Sequence, residues 1–200
     1  MIEPRGRCAW AGADRATPDP LMVAYHDDEW GVPVHHDVEL FERLILESFQ
    51  AGLSWSTILR KREAFRGAFR GFEPTVVARF DDDDRARLMA DAGIVRNRAK
   101  IDAAIDGATA FLRTADEHGS FDRYLATIVP PPPERLPPTA RAGEIPASTP
   151  VSDALSADLK RRGFRFVGST IVYAFMQSVG LVDDHLPGCF RYAGPGQGAR

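Results

Sequence analysis

Four side chains able to ligate a soft divalent metal stand near the two ends of the sequence: Cys8 and His26 at one, and His185-Leu-Pro-Gly-Cys189 at the other. Two thiolates and two imidazoles form a Cys₂His₂ set of the kind zinc takes tetrahedrally, and the His-x-x-x-Cys spacing can bring two of them to one ion. A site of this kind would join the termini. His35, His36 and His118 are rival ligands by residue type, and two free cysteines among surface histidines is the other reading of the same residues.

A second grouping is Leu159-Lys-Arg-Arg-Gly163-Phe-Arg-Phe-Val-Gly168-Ser-Thr170. It reads as a helix, a glycine-punctuated turn and a second helix, that is, a helix-hairpin-helix. Gly163 and Gly168 would let the backbone approach a phosphate, and the free N–H groups of Ser169 and Thr170 at the second helix start would donate to it. Lys160, Arg161, Arg162 and Arg165 would add charge. Such a hairpin holds DNA backbone without reading its sequence. A third grouping is aromatic and acidic: Tyr25-His-Asp-Asp-Glu-Trp30, then Glu47, then Trp55. These could line one pocket whose carboxylate bonds the edge of a base. On pattern alone, however, Glu47 sits at the margin of an apolar stripe and reads as solvated, with Tyr25 and Trp55 as core aromatics.

The elements that must position these groups are helices. Residues 1–36 form an arm rich in Pro, Gly and Asp without sustained period, which must be held by something other than its own core. From Asp37, a candidate N-cap, Leu40, Phe41, Leu44, Ile45 and Phe49 recur at helical spacing until Gly52. Ser54 caps a second helix carrying Ile58, Leu59, Phe65 and Phe69. An acidic run at 81–84 precedes a third, where negative charge suits the dipole. Stripes over 97–117 and 120–128 predict two more. Residues 129–150 hold eight of the fifteen prolines and read as an extended connection. Ser152 is the expected cap of the helix that follows, and 169–179 reads as a buried apolar helix. No strand pair is expected, and 193–200 form a tail. The prediction is an all-α fold in a single domain: arm 1–36, helical body 37–128, connection 129–150, hairpin and metal-binding part 151–192.

Composition agrees with this. At 200 residues, 44% hydrophobic and 26% charged, the chain can bury a sizeable core. No apolar stretch is long enough to span a membrane, and the opening residues lack a signal-peptide block, so the expectation is cytoplasmic, with cysteines that stay reduced. A net charge of -3 argues against indiscriminate polyanion binding, although basic residues cluster locally. A monomer is expected.

Taken in order, Ala24-Tyr-His-Asp-Asp-Glu-Trp-Gly-Val-Pro33, Gln50-Ala-Gly-Leu-Ser-Trp55, Gly93-Ile-Val-Arg-Asn-Arg-Ala-Lys-Ile101 and Gly163-Phe-Arg-Phe-Val-Gly-Ser-Thr-Ile171 resemble the 3-methyladenine DNA glycosylase I family, from about residue 7 to 192. The resemblance implies a helix-hairpin-helix glycosylase fold and one structural zinc at Cys8, His26, His185 and Cys189. It implies hydrolysis of the N-glycosidic bond of 3-methyladenine in alkylated double-stranded DNA; no lysine in the sequence stands out as the nucleophile of a lyase step. It also puts Glu47, Tyr25 and Trp55 where the family binds the excised base. Met22 stands where family members often carry tyrosine, and Ser48 where glycine is expected, which would narrow the pocket. Asp183 occupies the general-base position of the wider superfamily, with a cap or a metal-supporting role as the alternative. Leu53 is a candidate wedge to fill the emptied base stack. A non-catalytic DNA-binding module and a small-molecule N-glycosidase are the rival functions.

Overall fold

The periodic stripes become helices in the computed structural model, which describes residues 6–12, 17–131 and 133–193. Among the described residues nine α-helices run in chain order: α1 Pro20–Asp28, α2 Asp37–Gln50, α3 Trp55–Ala68, α4 Pro74–Val77, α5 Asp82–Ala90, α6 Arg98–His118, α7 Phe121–Ala126, α8 Pro150–Arg161 and α9 Ser169–Ser178. The ends follow local chemistry. Ser54, Asp81, Asn97 and Ser120 each accept a backbone N–H from the first turn of α3, α5, α6 and α7. Gly52 ends α2 at φ +80, which suits glycine.

The central element is α2. Leu40, Phe41, Leu44, Ile45, Leu46 and Phe49 are buried against α3, α6 and α9, each such burial worth roughly 1.5 to 3 kcal/mol. The Phe41 ring meets Phe111 of α6 edge-on at 5.2 Å. At the far end, Lys100 of α6 donates to the carbonyls of Phe49 and Ala51 at 2.9 and 2.6 Å. This satisfies acceptors that the end of α2 leaves open and fixes the turn into α3.

Four expectations are corrected. The arm contains a helix, α1, started by Asp19 and Pro20; its buried residues include His26 and Tyr25, so it lacks an aliphatic stripe. His36 rather than Asp37 is the N-cap of α2, and the Asp37 carboxylate accepts instead from the Phe121 N–H at 3.0 Å, tying α2 to α7. Thr149, not Ser152, caps α8: Pro150 takes the first position and Ser152 the third, and the hydroxyl of each accepts the backbone N–H of the other. The connection is also not wholly irregular, because a short 3-10 turn forms at Ala142–Glu144 and β1 Glu134–Arg135 pairs in parallel with β2 Val182–Asp183. An extended proline-rich backbone needs partners, and the strand after α9 supplies them. Residues 194–200 of the expected tail lie outside the described residues. No described helix is long and apolar enough to cross a membrane.

Candidate active site and metal centre

Cys8, His26, His185 and Cys189 converge, all buried, with their ligand atoms within 4.8 Å of one another. Cys189 Sγ lies 3.4 Å from His26 Nε2 and 3.5 Å from His185 Nδ1, and Cys8 Sγ lies 3.8 Å from His185 Nδ1. Tetrahedral bonds of about 2.3 Å to sulfur and 2.0 to 2.1 Å to nitrogen would separate such atoms by roughly 3.6 Å, so the donor set fits one ion. The outer nitrogens are already oriented. His26 Nδ1 faces Asp27 at 2.8 Å, itself held by Arg7, and His185 Nε2 faces the Trp30 carbonyl at 3.1 Å. The sulfurs accept the N–H groups of Leu186 and Arg191 at 3.4 Å. Pairing with Cys8, and then with the two imidazoles, pulls Cys189 strongly toward thiolate, while the same pairing and burial push Cys8 up. His35, a rival by residue type, is instead exposed beside Asp122, and His118 faces Arg162.

The cluster also builds the wall of a cavity. Two residues beyond Cys8, the Trp10 ring lies 5.3 Å from His26 and 4.9 Å from Trp30, and Tyr25 precedes His26 on α1. Tyr25 and Trp55, the latter at the start of α3, approach to 5.0 Å. Together with Met22, Glu47 and Gln50 they line an open cavity of about 330 Å³, to which Ile145 of the connection and Ala174 and Gln177 of α9 also contribute. Glu47 is 3% exposed, so the solvated reading is corrected. Its Oε2, and the indole Nε1 atoms of Trp10 and Trp55, are buried polar atoms without a hydrogen-bond partner. One acceptor and two donors around the cavity are therefore left unpaired within the protein. Burial pushes the Glu47 carboxyl up to about 8, against the pull of Arg43.

Ser48 does not narrow this cavity. One residue on, the helix turns its side chain to the opposite side, where the hydroxyl donates to the Leu44 carbonyl at 2.9 Å and packs near Phe164. Asp183 is not among the cavity-lining residues: it accepts from Arg135 and from the His185 N–H, at 3.3 Å each, beside the Cys/His cluster. Leu53 is 43% exposed in the turn between α2 and α3. Sequence reasoning missed Trp10, Gln50, Ile145, Ala174 and Gln177. Gln50, three residues after Glu47, was within reach of helical spacing. The others come from the arm, the connection and a helix that reads as wholly apolar.

The expected hairpin is present as α8, a turn at 162–168 and α9. Gly163 has φ +103, and the Phe164 N–H closes back on the Leu159 carbonyl at 3.0 Å. Gly168 precedes α9 without a side-chain cap, which leaves the first N–H groups, including those of Ser169 and Thr170, free of side-chain acceptors. The Ser169 hydroxyl bonds Ser152 and Asp153 of α8. Lys160 is exposed, whereas Arg165 pairs with Asp106 at 2.7 Å. Arg162 is structural: it binds Asp158 and Glu117 and stacks 4.7 Å from the Tyr124 ring.

Comparisons with known proteins agree with this architecture. The family model described as methyladenine glycosylase matches residues 15–192. DNA-3-methyladenine glycosylase 1 of Escherichia coli (strain K12) is 48% identical over 188 residues, 94% of this chain and 97% of that protein. DNA-3-methyladenine glycosylase of Haemophilus influenzae is 42% identical, over 92% of this chain and 96% of that protein. A crystal structure of a variant 3-methyladenine DNA glycosylase I in complex with 3-methyladenine superposes with a TM-score of 0.83 at 39% identity, covering 87% of this chain and 93% of its own. The chain belongs to the methyladenine glycosylase family.

Proposed function

We propose that this chain excises 3-methyladenine from alkylated double-stranded DNA by hydrolysing its N-glycosidic bond, in base-excision repair. The observation that carries the reading is a buried carboxylate with an unpartnered oxygen, set in a cavity that Trp10, Tyr25, Trp30 and Trp55 also line. N3-methylation gives the base a positive charge, which already weakens its bond to deoxyribose. The enzyme then has to extract the nucleotide and stabilise the charged base. Flipping costs a few kcal/mol. Tyr25 and Trp55 offset this by stacking and cation–π attraction, with Met22 as an adaptable apolar wall. Glu47 accepts from the base edge and balances its charge. The bond from the sugar carbon to the ring nitrogen breaks, the base leaves neutral, and water adds its oxygen to the sugar carbon and loses a proton, leaving an abasic site.

The hairpin N–H groups of Ser169 and Thr170, the open turn at Gly163 and Gly168, and Lys160 supply phosphate contacts, with Arg165 joining by exchanging Asp106 for phosphate. Leu53, held in place by Lys100 bonding the same turn, is the wedge. One zinc at Cys8, His26, His185 and Cys189 is structural, because four protein ligands leave no position for water. Asp183 serves that centre through His185 rather than the reaction. The enzyme acts as a monomer in the cytoplasm.

The test is release of free base from N-methylated duplex DNA by the wild type and by Glu47→Gln, both verified as folded. Release by the wild type, reduced at least about a hundredfold in the variant, is expected for loss of a charged contact made to the base. A folded wild type that binds duplex but releases no base would leave a non-catalytic DNA-binding module as the function.

A further inference from the structure

The polar network behind the cavity contains a cation that the excision reaction described above does not use. Arg43 lies one helical turn before Glu47 on α2 and is 4% exposed. Its Nη2 donates to Glu29 at 2.8 Å and to Glu39 at 3.0 Å, while Nε and Nη1 are buried without partners. The guanidinium lies 5.9 Å from the Tyr25 ring. Glu29 is also held by Arg62 of α3, at 2.5 and 2.8 Å. Glu39, Arg43, Glu29 and Arg62 sum to no net charge, and Glu47 adds one negative charge beside them.

A buried guanidinium with two idle donors is costly where an aliphatic side chain would pack. Its position suits electrostatics, since residues four apart share a helix face. We propose that Arg43 is a positioning residue acting through Glu47: its buried charge favours the ionised form of that carboxyl against the burial around it, so that the proton is given up more readily when a cationic base enters. This rests on the reading of Glu47 as the base-binding group. Arg43 opposes the burial that raises the Glu47 pKa. Other titratable groups on the packed elements are Tyr25 on α1, whose proton burial holds, Lys100 on α6, bonded to carbonyls, and Tyr173 on α9, bonded to Asp184. Glu42, on the other side of α2, pairs with Arg66, and α7 is tied to the start of α2 through Asp37.

The experiment follows the Glu47 carboxyl by carbon-13 NMR in the metal-loaded protein, assigned by its loss in Glu47→Gln, together with the pH profile of kcat/KM for 3-methyladenine release. Arg43→Gln should move both the Glu47 midpoint and the acid limb upward by about one pH unit, a roughly tenfold loss of kcat/KM on the acid side that disappears at high pH. Arg43→Lys should restore the wild-type profile. An unmoved midpoint in folded Arg43→Gln overturns the proposal. If that variant does not fold, Glu39→Gln at the half-exposed end of the network removes a competing anion and should lower the midpoint; no change there overturns it equally. If Glu47→Gln excises as well as the wild type, the assignment of Glu47 fails, while the NMR midpoint still tests the action of Arg43.

Discussion

At the scale of the residue, the site holds a carboxylate under conditions that favour its neutral form, and this has a consequence for stability. An unfolded glutamate titrates near 4.3, whereas folded Glu47 holds its proton up to about 8. Between these values the native state binds more protons than the unfolded state, so the stability contributed at low pH is lost as pH rises through the window. Glu47→Gln should therefore melt above the wild type at pH 8.5, by an amount whose ceiling is on the order of a few kcal/mol, and close to it at pH 4. Calorimetry at the two pH values measures the difference; equal melting at pH 8.5 would mean that Glu47 is not strained by its burial. The same feature limits what a sequence discloses. A charged residue at the edge of an apolar arc is solvated in most helices, and only the aromatic cover from α1 and α3 makes Glu47 the exception.

At the scale of the element, the hairpin separates basic residues that look alike in sequence. Lys160 and Arg162 stand two apart, but Arg162 bonds Asp158, Glu117 and the Tyr124 ring, while Lys160 is exposed. Lys160→Ala should weaken duplex binding with little dependence on base sequence and reduce the slope of log affinity against log salt by about one, leaving the melting temperature unchanged. Arg162→Ala should do the reverse, lowering the melting temperature first. A common effect of both on salt dependence would show that neither pairing governs the hairpin. The helix and its glycine turn were legible because local spacing, caps and Gly163 determine them. The division of labour among the arginines was not, because Glu117 and Asp106 come from α6, dozens of residues away in the chain. The start of α8 was misread for a related reason: Thr149, Pro150 and Ser152 all favour a helix start, and only the geometry ranks them.

At the scale of the whole molecule, the N-terminal arm and the segment after α9 meet at the Cys₂His₂ cluster, and the cavity wall is built beside that meeting. Trp10 follows Cys8 and Tyr25 precedes His26, so the groups that would clip the arm also set two of the aromatic faces. The cluster was legible as a set of residue types, but its link to the cavity was not, since the neighbours of Cys8 carry no period. Cys189→Ser should accordingly lose bound zinc, expected at one per wild-type chain when measured by atomic emission, and lose several kcal/mol of stability, because binding of a structural ion is folding free energy. Chelation of the wild type should change the fluorescence of Trp10 and Trp30 and abolish base release together, before α2 and α6 unfold by circular dichroism. Low pH should act in the same direction, since the ligands bind metal only when deprotonated. If the chelated protein keeps its tryptophan signal and still releases 3-methyladenine, the arm is held by packing alone and the cluster is dispensable to the cavity.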